Sequence, residues 1–278
     1  MIEFPLVSVL IPCYNHEKYV DQALNSVVDN SYSNKEIVII DDGSTDGSYE
    51  KIKIWASKNS HLIKVRAFTR ENKGLATTLN ELIELAAGEF LCLLASDDLL
   101  ITDSIEKRIA VLLQNPDKLV VIGDAKVINT EGEVIMQSAI EDLYFGKKSN
   151  YLTVEGLKYS VINEWSIPGP VILVKKSLYN LIGSYPTNLL AEDLNFYLQV
   201  IGRELLIFVD EPVALYRVHD LNTCRHPSNK KRIVSSIIKS YFNNLRYFKG
   251  RNKIYLFIKL ASYIRRYFMF SYINIKSK

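Results

Sequence analysis

The 278-residue chain carries 34 Lys and Arg against 31 Asp and Glu, with 48% apolar and 23% charged residues. That balance supports a buried core in one large or two small domains, and it excludes a globally disordered, collagen-like or low-complexity chain. The formal charge of +3 is unevenly placed: residues 229–278 hold 13 basic residues and no acidic one, leaving 21 basic against 31 acidic in residues 1–228.

In chain order, Leu6–Ile11 (LVSVLI) reads as a buried strand and about Glu17–Val28 as a helix. Glu36–Ile40 is a second strand, and the Ser/Thr/Asp cluster GSTDGS marks the start of a helix over Asp46–Ser57. Ile63–Phe68 is a third strand. Leu75–Ala87 follows as a helix, with Leu75, Leu79, Leu82, Ile83 and Ala86 on one face and Gly88 at its end. Phe90–Leu94 is a fourth strand, Asp103–Gln114 a helix ending before Pro116, and Leu119–Ile122 a fifth strand. This alternation is that of βαβ units on a mostly parallel sheet covered on both faces, an α/β fold.

After Gly123 the rhythm changes. Lys126–Ile128 and Glu133–Met136 flank a hairpin turn at Asn129–Gly132, and a looser polar stretch runs to about Glu164. Strands are then expected at Val171–Val174, Leu205–Val209 and Val213–Val218, and helices at Ser177–Ile182 and Glu192–Ile201. Residues 1–228 read as one α/β domain. Residues 229–278 read as a tail of two amphipathic helices broken at Gly250, the second with Leu256, Phe257, Leu260, Ile264 and Phe268 on one face and Lys259 and Arg266 on the other.

Ligands of an open parallel sheet bind at the carboxyl ends of its strands. Here those ends carry Pro12-Cys13-Tyr14-Asn15, Asp41-Asp42-Gly43-Ser44, Thr69 to Gly74, and Ala95-Ser96-Asp97-Asp98. Two carboxylate pairs on neighbouring loops call for a cation, and Mn²⁺ or Mg²⁺ shared with a phosphorylated substrate suits them; helix capping and turn formation are the ordinary alternative uses of Asp. No GxGxxG follows any strand, against a dinucleotide dehydrogenase, and PCYNHEKY is not the Gly-rich basic loop expected of a nucleotidyltransferase.

The stretches VSVLIPCYNHEKYVDQALNSV, EIVIIDDGSTDGS, RENKGLATTLNELIELAAGEFLCLLASDD, GSYPTNLLAEDLNFYLQV and ALYRVHD cover nearly all of residues 6–220, and in their order and spacing the sequence resembles glycosyltransferase family 2. The resemblance implies the nucleotide-sugar-binding GT-A fold and inverting, metal-dependent transfer of a sugar, most simply from a UDP-sugar, in cell-surface polysaccharide synthesis. A nucleotide-sugar-binding relative with lost or weak catalysis is the alternative. Donor contacts are implied at Pro12, Tyr14, Asn15, Asp41, Asp42, Lys73, Gly74, Ser96, Asp97 and Arg217. Metal ligands are implied at Asp97, Asp98 and His219, and the base at Asp193, with Glu192 beside it. Trp165, Pro168 and Gly169 lie where relatives line the acceptor pocket. The sequence departs from the family's DxD motif at its first position, which is Ala95.

The tail points to an anionic partner. Its basic residues interleave with 11 aromatics, a pattern that could stack on nucleic acid or sit at the headgroups of an anionic leaflet; the body gives no reason for nucleic acid, so a membrane surface near a glycan or polyprenyl-linked or other lipid-linked acceptor is expected. Packing on the body or on a second copy in a homo-oligomer is the structural alternative. Lys259, Arg265 and Arg266 interrupt the apolar run 254–273, against a spanning helix. No signal peptide is apparent before Pro5, and Cys13, Cys92 and Cys224 form neither a CxxC nor an even set. The expected location is therefore cytoplasmic, peripheral at the inner face of the cytoplasmic membrane.

Overall fold

The computed structural model describes residues 4–219 and 230–276. Asp220, Cys224, the boundary at 228/229, and the side chains of Lys230 and of residues 270–278 lie outside what is described.

The first half forms as its periodicity dictates. Strands β1 (Val7–Cys13), β2 (Lys35–Asp41), β3 (Lys64–Thr69) and β4 (Phe90–Leu93) are parallel, in spatial order β3-β2-β1-β4. Helices α1 (Val20–Val28), α2 (Ser48–Asn59) and α3 (Leu75–Leu85) are the crossovers. Alternation along β1 sends Val7, Val9 and Ile11 into a core with α1 and α2, while Leu10 joins α3 on the other face. Because all four strands run the same way, their carboxyl ends, with their polar loops, gather along one edge.

The second half makes the sheet mixed. After β5 (Leu99–Leu100) and α4 (Ser104–Gln114) come β6 (Val120–Ile128) and β7 (Val134–Met136), which pair antiparallel around the expected turn at Asn129–Gly132. Strand β8 (Ile172–Lys175) lies between β4 and β6, antiparallel to both. Then follow α7 (Leu178–Ile182), α8 (Glu192–Gly202) and β9 (Leu206–Arg217). The two strands expected over 205–218 are this one strand, which runs parallel to β6 and shifts register where Asp124 faces Pro212. A proline within a strand is tolerated at such an irregularity, because no ladder N–H is needed there. The stretch expected to be loose contains α5 (Lys148–Tyr151) and α6 (Val154–Asn163); the Thr153 hydroxyl caps α6 by accepting the Gly156 N–H at 3.1 Å.

Tail helices α9 (Lys230–Asn244) and α10 (Gly250–Lys276) are separated by a 3₁₀ turn at Leu245–Tyr247, and Gly250 opens α10 at φ +53°. Both pack on the body: Val234, Tyr241, Phe248, Leu256 and Leu260 are buried. Polar latches accompany them. The Tyr241 hydroxyl donates to Ile162 O at 3.0 Å, Lys259 Nζ to Asn163 O at 3.1 Å, and Asn252 Nδ2 to Glu155 Oε2 at 2.6 Å, all on α6. The apolar face expected on α10 is thus split: Leu256 and Leu260 face the protein, whereas Phe257 and Phe268 are 48% and 66% exposed. Among the described residues no helix is long and apolar enough to cross a membrane.

If the inward stripe docks the tail, Leu256→Ala should cost about 2–5 kcal/mol in urea unfolding. Ile258→Ala, on the exposed face, should stay within about 0.5 kcal/mol.

Candidate active site

The ends of β1, β2 and β3 are stitched together by short polar side chains. Pro12 is the penultimate residue of β1, and exposed Tyr14 follows the strand. Asn15 takes φ +55°; its N–H donates to Ser44 Oγ at 2.8 Å, and its Oδ1 accepts the Thr45 N–H at 2.8 Å. Asp41 is buried, with Oδ2 accepting from Ser44 N at 3.2 Å and Thr69 Oγ1 at 3.0 Å. Its Oδ1 is buried with no hydrogen-bond partner among the described residues.

Asp42 organises the adjoining loop. Its Oδ1 accepts from the Arg70 guanidinium and from Lys73 N at 2.8 Å, and its Oδ2 from Gly74 N at 3.0 Å. Arg70 in turn donates to Glu81 Oε2 at 2.7 Å and Thr78 Oγ1 at 2.9 Å on α3. Gly74 sits at φ +84° with open space where a side chain would project, so backbone conformation alone demands glycine there. Lys73 is exposed, with Nζ 3.5 Å from Glu81 Oε1.

The end of β4 turns into a second cluster. Asp97 is buried; its Oδ2 lies 2.9 Å from His219 Nε2 and 3.7 Å from His16 Nε2. His16 Nδ1 is 2.7 Å from Ser96 Oγ, and its backbone N–H donates to Ser48 Oγ at 2.9 Å. One ligand atom from each of His16, Asp97 and His219 falls within 4.8 Å of the others, a set of imidazoles and carboxylate suited to a divalent transition-metal ion. Burial opposes ionisation of Asp97, but the His219 hydrogen bond and the neighbouring His16 leave its pKa below the usual carboxylate value. Burial lowers the His16 pKa, favouring the neutral form that a ligand must adopt.

Two residues expected at this cluster stand elsewhere. Asp98 is buried, but its Oδ1 accepts the Arg217 backbone N–H at 2.8 Å instead of joining the set; burial and then the Asp97 charge raise its pKa well above normal. Arg217 is fully buried at the end of β9. Its Nε donates to Asp97 O at 2.8 Å, Nη1 to Asn129 O at 2.9 Å and Thr130 O at 3.1 Å, and Nη2 to Gln22 Oε1 at 2.7 Å. It therefore holds the Asp97 backbone in place, where a direct contact to the donor was expected. His16, Ser48 and Arg70 were not singled out from sequence. For His16, the signal available was its position in the loop after β1.

Glu192 and Asp193 open α8. Asp193 is an exposed residue, but the protein crowding its carboxyl raises its pKa; its Oδ1 accepts the Leu194 N–H at 2.6 Å. Burial, and next the Asp193 charge, push Glu192 up to about 7. The preceding loop is anchored to α3, where Asn80 exchanges two hydrogen bonds with the Tyr185 backbone at 2.8 and 2.9 Å. One turn into α8, Tyr197 meets the half-buried Trp165 edge-on at 5.5 Å. Pro168 is buried, and Gly169 is exposed with no atom within 4 Å of a would-be Cβ.

The family model for glycosyl transferase family 2 matches residues 8–179. The chain belongs to that family. It is 29% identical over 244 residues to an uncharacterized glycosyltransferase of Haemophilus influenzae, covering 87% of this chain and 89% of the relative. It is 35% identical over 116 residues, 40% of this chain and 43% of the relative, to the putative teichuronic acid biosynthesis glycosyltransferase TuaG of Bacillus subtilis. The fold is the GT-A fold. S. aureus TarS 1–349 in complex with UDP-GlcNAc superposes with a TM-score of 0.68 at 18% identity, over 95% of this chain and 73% of that one. The mannosyltransferase PcManGT of Pyrobaculum calidifontis, in complex with GDP-Man and Mn²⁺, gives 0.66 at 19% identity, over 93% and 70%.

Arg217→Met would leave the buried Asp97 carbonyl without the Nε donor and untie the β6–β7 turn at Asn129 and Thr130. A loss of about 1–3 kcal/mol is expected in urea unfolding, the cost of one unpaired buried acceptor.

Proposed function

We propose that the protein is an inverting, metal-dependent glycosyltransferase that moves a sugar from a UDP-sugar to a hydroxyl of a surface glycan or lipid-linked precursor. The observation that carries this reading is the placement of two adjacent carboxyls, Glu192 and Asp193, at the start of α8 behind the loop that Asn80 anchors to α3; both pKa values are raised, which makes each carboxylate a stronger base. In the transfer, Asp193 takes the acceptor hydroxyl proton as the acceptor oxygen bonds to the anomeric carbon from the face opposite the phosphate. The bond from that carbon to the phosphate oxygen breaks, and the nucleoside diphosphate leaves with the electron pair.

The donor lies across the stitched strand ends. The unpartnered Asp41 Oδ1 offers an acceptor to a base or ribose donor, and Pro12, Tyr14, Asn15 and the 73–74 backbone border the same edge. A divalent ion on Asp97 and His219, Mn²⁺ or Mg²⁺, supplies electrostatic stabilisation of the leaving diphosphate when bound. The complexes of TarS with UDP-GlcNAc and of PcManGT with GDP-Man and Mn²⁺ support a nucleotide-sugar donor and a metal, and TuaG supports a cell-envelope glycan as product. Trp165, Pro168 and Gly169 would face the acceptor.

Asp193→Asn should lower kcat by about 10²–10⁴-fold while UDP still binds; wild-type turnover in that variant would refute the assignment. A raised carboxyl must lose its proton to act as a base, so activity rises with pH. If transfer needs Glu192 ionised beside Asp193, the rate should climb along a limb near pH 7, where Glu192 titrates.

The same reading includes peripheral attachment at the inner face of the cytoplasmic membrane. Ile254, Phe257, Ile258, Phe268 and Met269 of α10 are exposed, and the tail from 229 on has no acidic residue. An all-cationic surface complements an anionic leaflet and would repel its own copy. Co-sedimentation with vesicles containing phosphatidylserine should be strong at low salt, weak with phosphatidylcholine alone, and lost in the double variant Phe257→Glu/Phe268→Glu. Undiminished binding by that variant would refute attachment through this face.

A further inference from the structure

We infer that His16 is a direct ligand of the catalytic metal, making the site a two-histidine, one-carboxylate set that prefers Mn²⁺ over Mg²⁺. The inference rests on the metal-dependent reading above and deepens it.

Three observations carry it. The first is spacing. Two atoms bound to one ion by ~2.1 Å bonds lie about 3–4 Å apart. His219 Nε2 and His16 Nε2 lie 2.9 and 3.7 Å from the same Asp97 oxygen, and 3.7 Å is too long for a hydrogen bond. The second is orientation. The His16 ring is held at Nδ1 by Ser96 Oγ at 2.7 Å, and its backbone is held by Ser48, which turns Nε2 toward Asp97. A metal-binding histidine is ordinarily fixed through its other ring nitrogen in this way, which also sets the tautomer that leaves a lone pair for the metal. The His16 and His219 rings stand nearly perpendicular, 89° at 5.8 Å, so they approach the shared oxygen from different sides. The third is a missing oxygen. Ala95 offers no ligand, and the Asp98 carboxylate is turned onto the Arg217 backbone, so one carboxylate remains where a hard cation would want several.

The metal preference follows from ligand chemistry. Mg²⁺ binds oxygen and parts with its waters reluctantly, whereas imidazole favours transition metals, increasingly along the series from Mn²⁺ to Cu²⁺. With one carboxylate in place, the set is also less anionic than an all-acidic one, and substrate phosphate oxygens complete the coordination.

The test is Mn²⁺ binding, read by loss of the free-ion electron paramagnetic resonance signal with and without UDP. Pulsed measurements on the bound ion count coordinated nitrogens. The wild type should show two imidazole nitrogens, and a tenfold excess of Mg²⁺ should displace little Mn²⁺. His16→Gln should show one nitrogen, an Mn²⁺ affinity about 10–100-fold lower and a narrower Mn²⁺/Mg²⁺ gap, while Ser96→Ala keeps both nitrogens with weaker binding. Unchanged melting temperatures would establish that both variants fold; should His16→Gln fail to fold, the nitrogen count of the wild type decides alone. Two nitrogens persisting in His16→Gln, or a single nitrogen in the wild type, would overturn the assignment and leave the metal-dependent reading standing. No Mn²⁺ binding by the wild type, with or without UDP, would overturn both.

Discussion

A guanidinium without water must find acceptors, and Arg217 finds them in three separate places. Its side chain reaches the Asp97 carbonyl, the β6–β7 turn at Asn129 and Thr130, and Gln22 on α1, while its own N–H is taken by Asp98. The end of β9 is thereby locked to the end of β4, although the two strands are not neighbours in the sheet. The His16, Asp97 and His219 cluster depends on this lock. It fixes the backbone of Asp97, and two residues later the chain delivers His219 to the same carboxylate. The cost of burying the charge is offset by dipoles of carbonyl groups that had to be satisfied in any case.

At the ends of β2 and β3 Asp42 does the corresponding work with the opposite charge. One carboxylate accepts two consecutive backbone N–H groups and the Arg70 guanidinium, shaping residues 70–74 around itself. Between these two hubs lies Asp41, whose second oxygen is left over. The contrast is informative: groups that build the site are fully paired, and the group that would meet a ligand is not. Glu192 of α8 follows the same logic, its pKa raised by burial and by the Asp193 charge.

How much of this was legible beforehand depended on how local the cause is. The four parallel strands and their crossovers follow from periodicity within single segments, so the acidic strand ends were found. Family resemblance pointed to Asp97, His219, Glu192 and Asp193 as a set, and the structure brings Asp97 and His219 within 2.9 Å. What escaped has causes distant in sequence. Strand β5 is two residues long and exists only because it pairs with Leu215 and Ala214. Helix α6 carries a polar sequence whose apolar residues gain meaning from α8 and α10. Arg217 and Asp98 bear charges that suggest a ligand, and only tertiary structure shows that Asp98 takes the Arg217 N–H while the Arg217 side chain holds the carbonyls of Asp97, Asn129 and Thr130. His16 lies in a loop where nothing local distinguishes a ligand from a surface residue.

The tail was expected to touch a membrane with a single apolar face, and it has two, one of them committed to the body. Tyr241 and Lys259 occupy the last carbonyls of α6, at Ile162 and Asn163, which a helix end otherwise leaves open to water. Directly beyond that end lie Trp165, Pro168 and Gly169. The tail is thus a buttress for the segment from which a substrate pocket would be cut. Exchanges in α9 and α10, far along the chain, can therefore shift this segment without a single change within it.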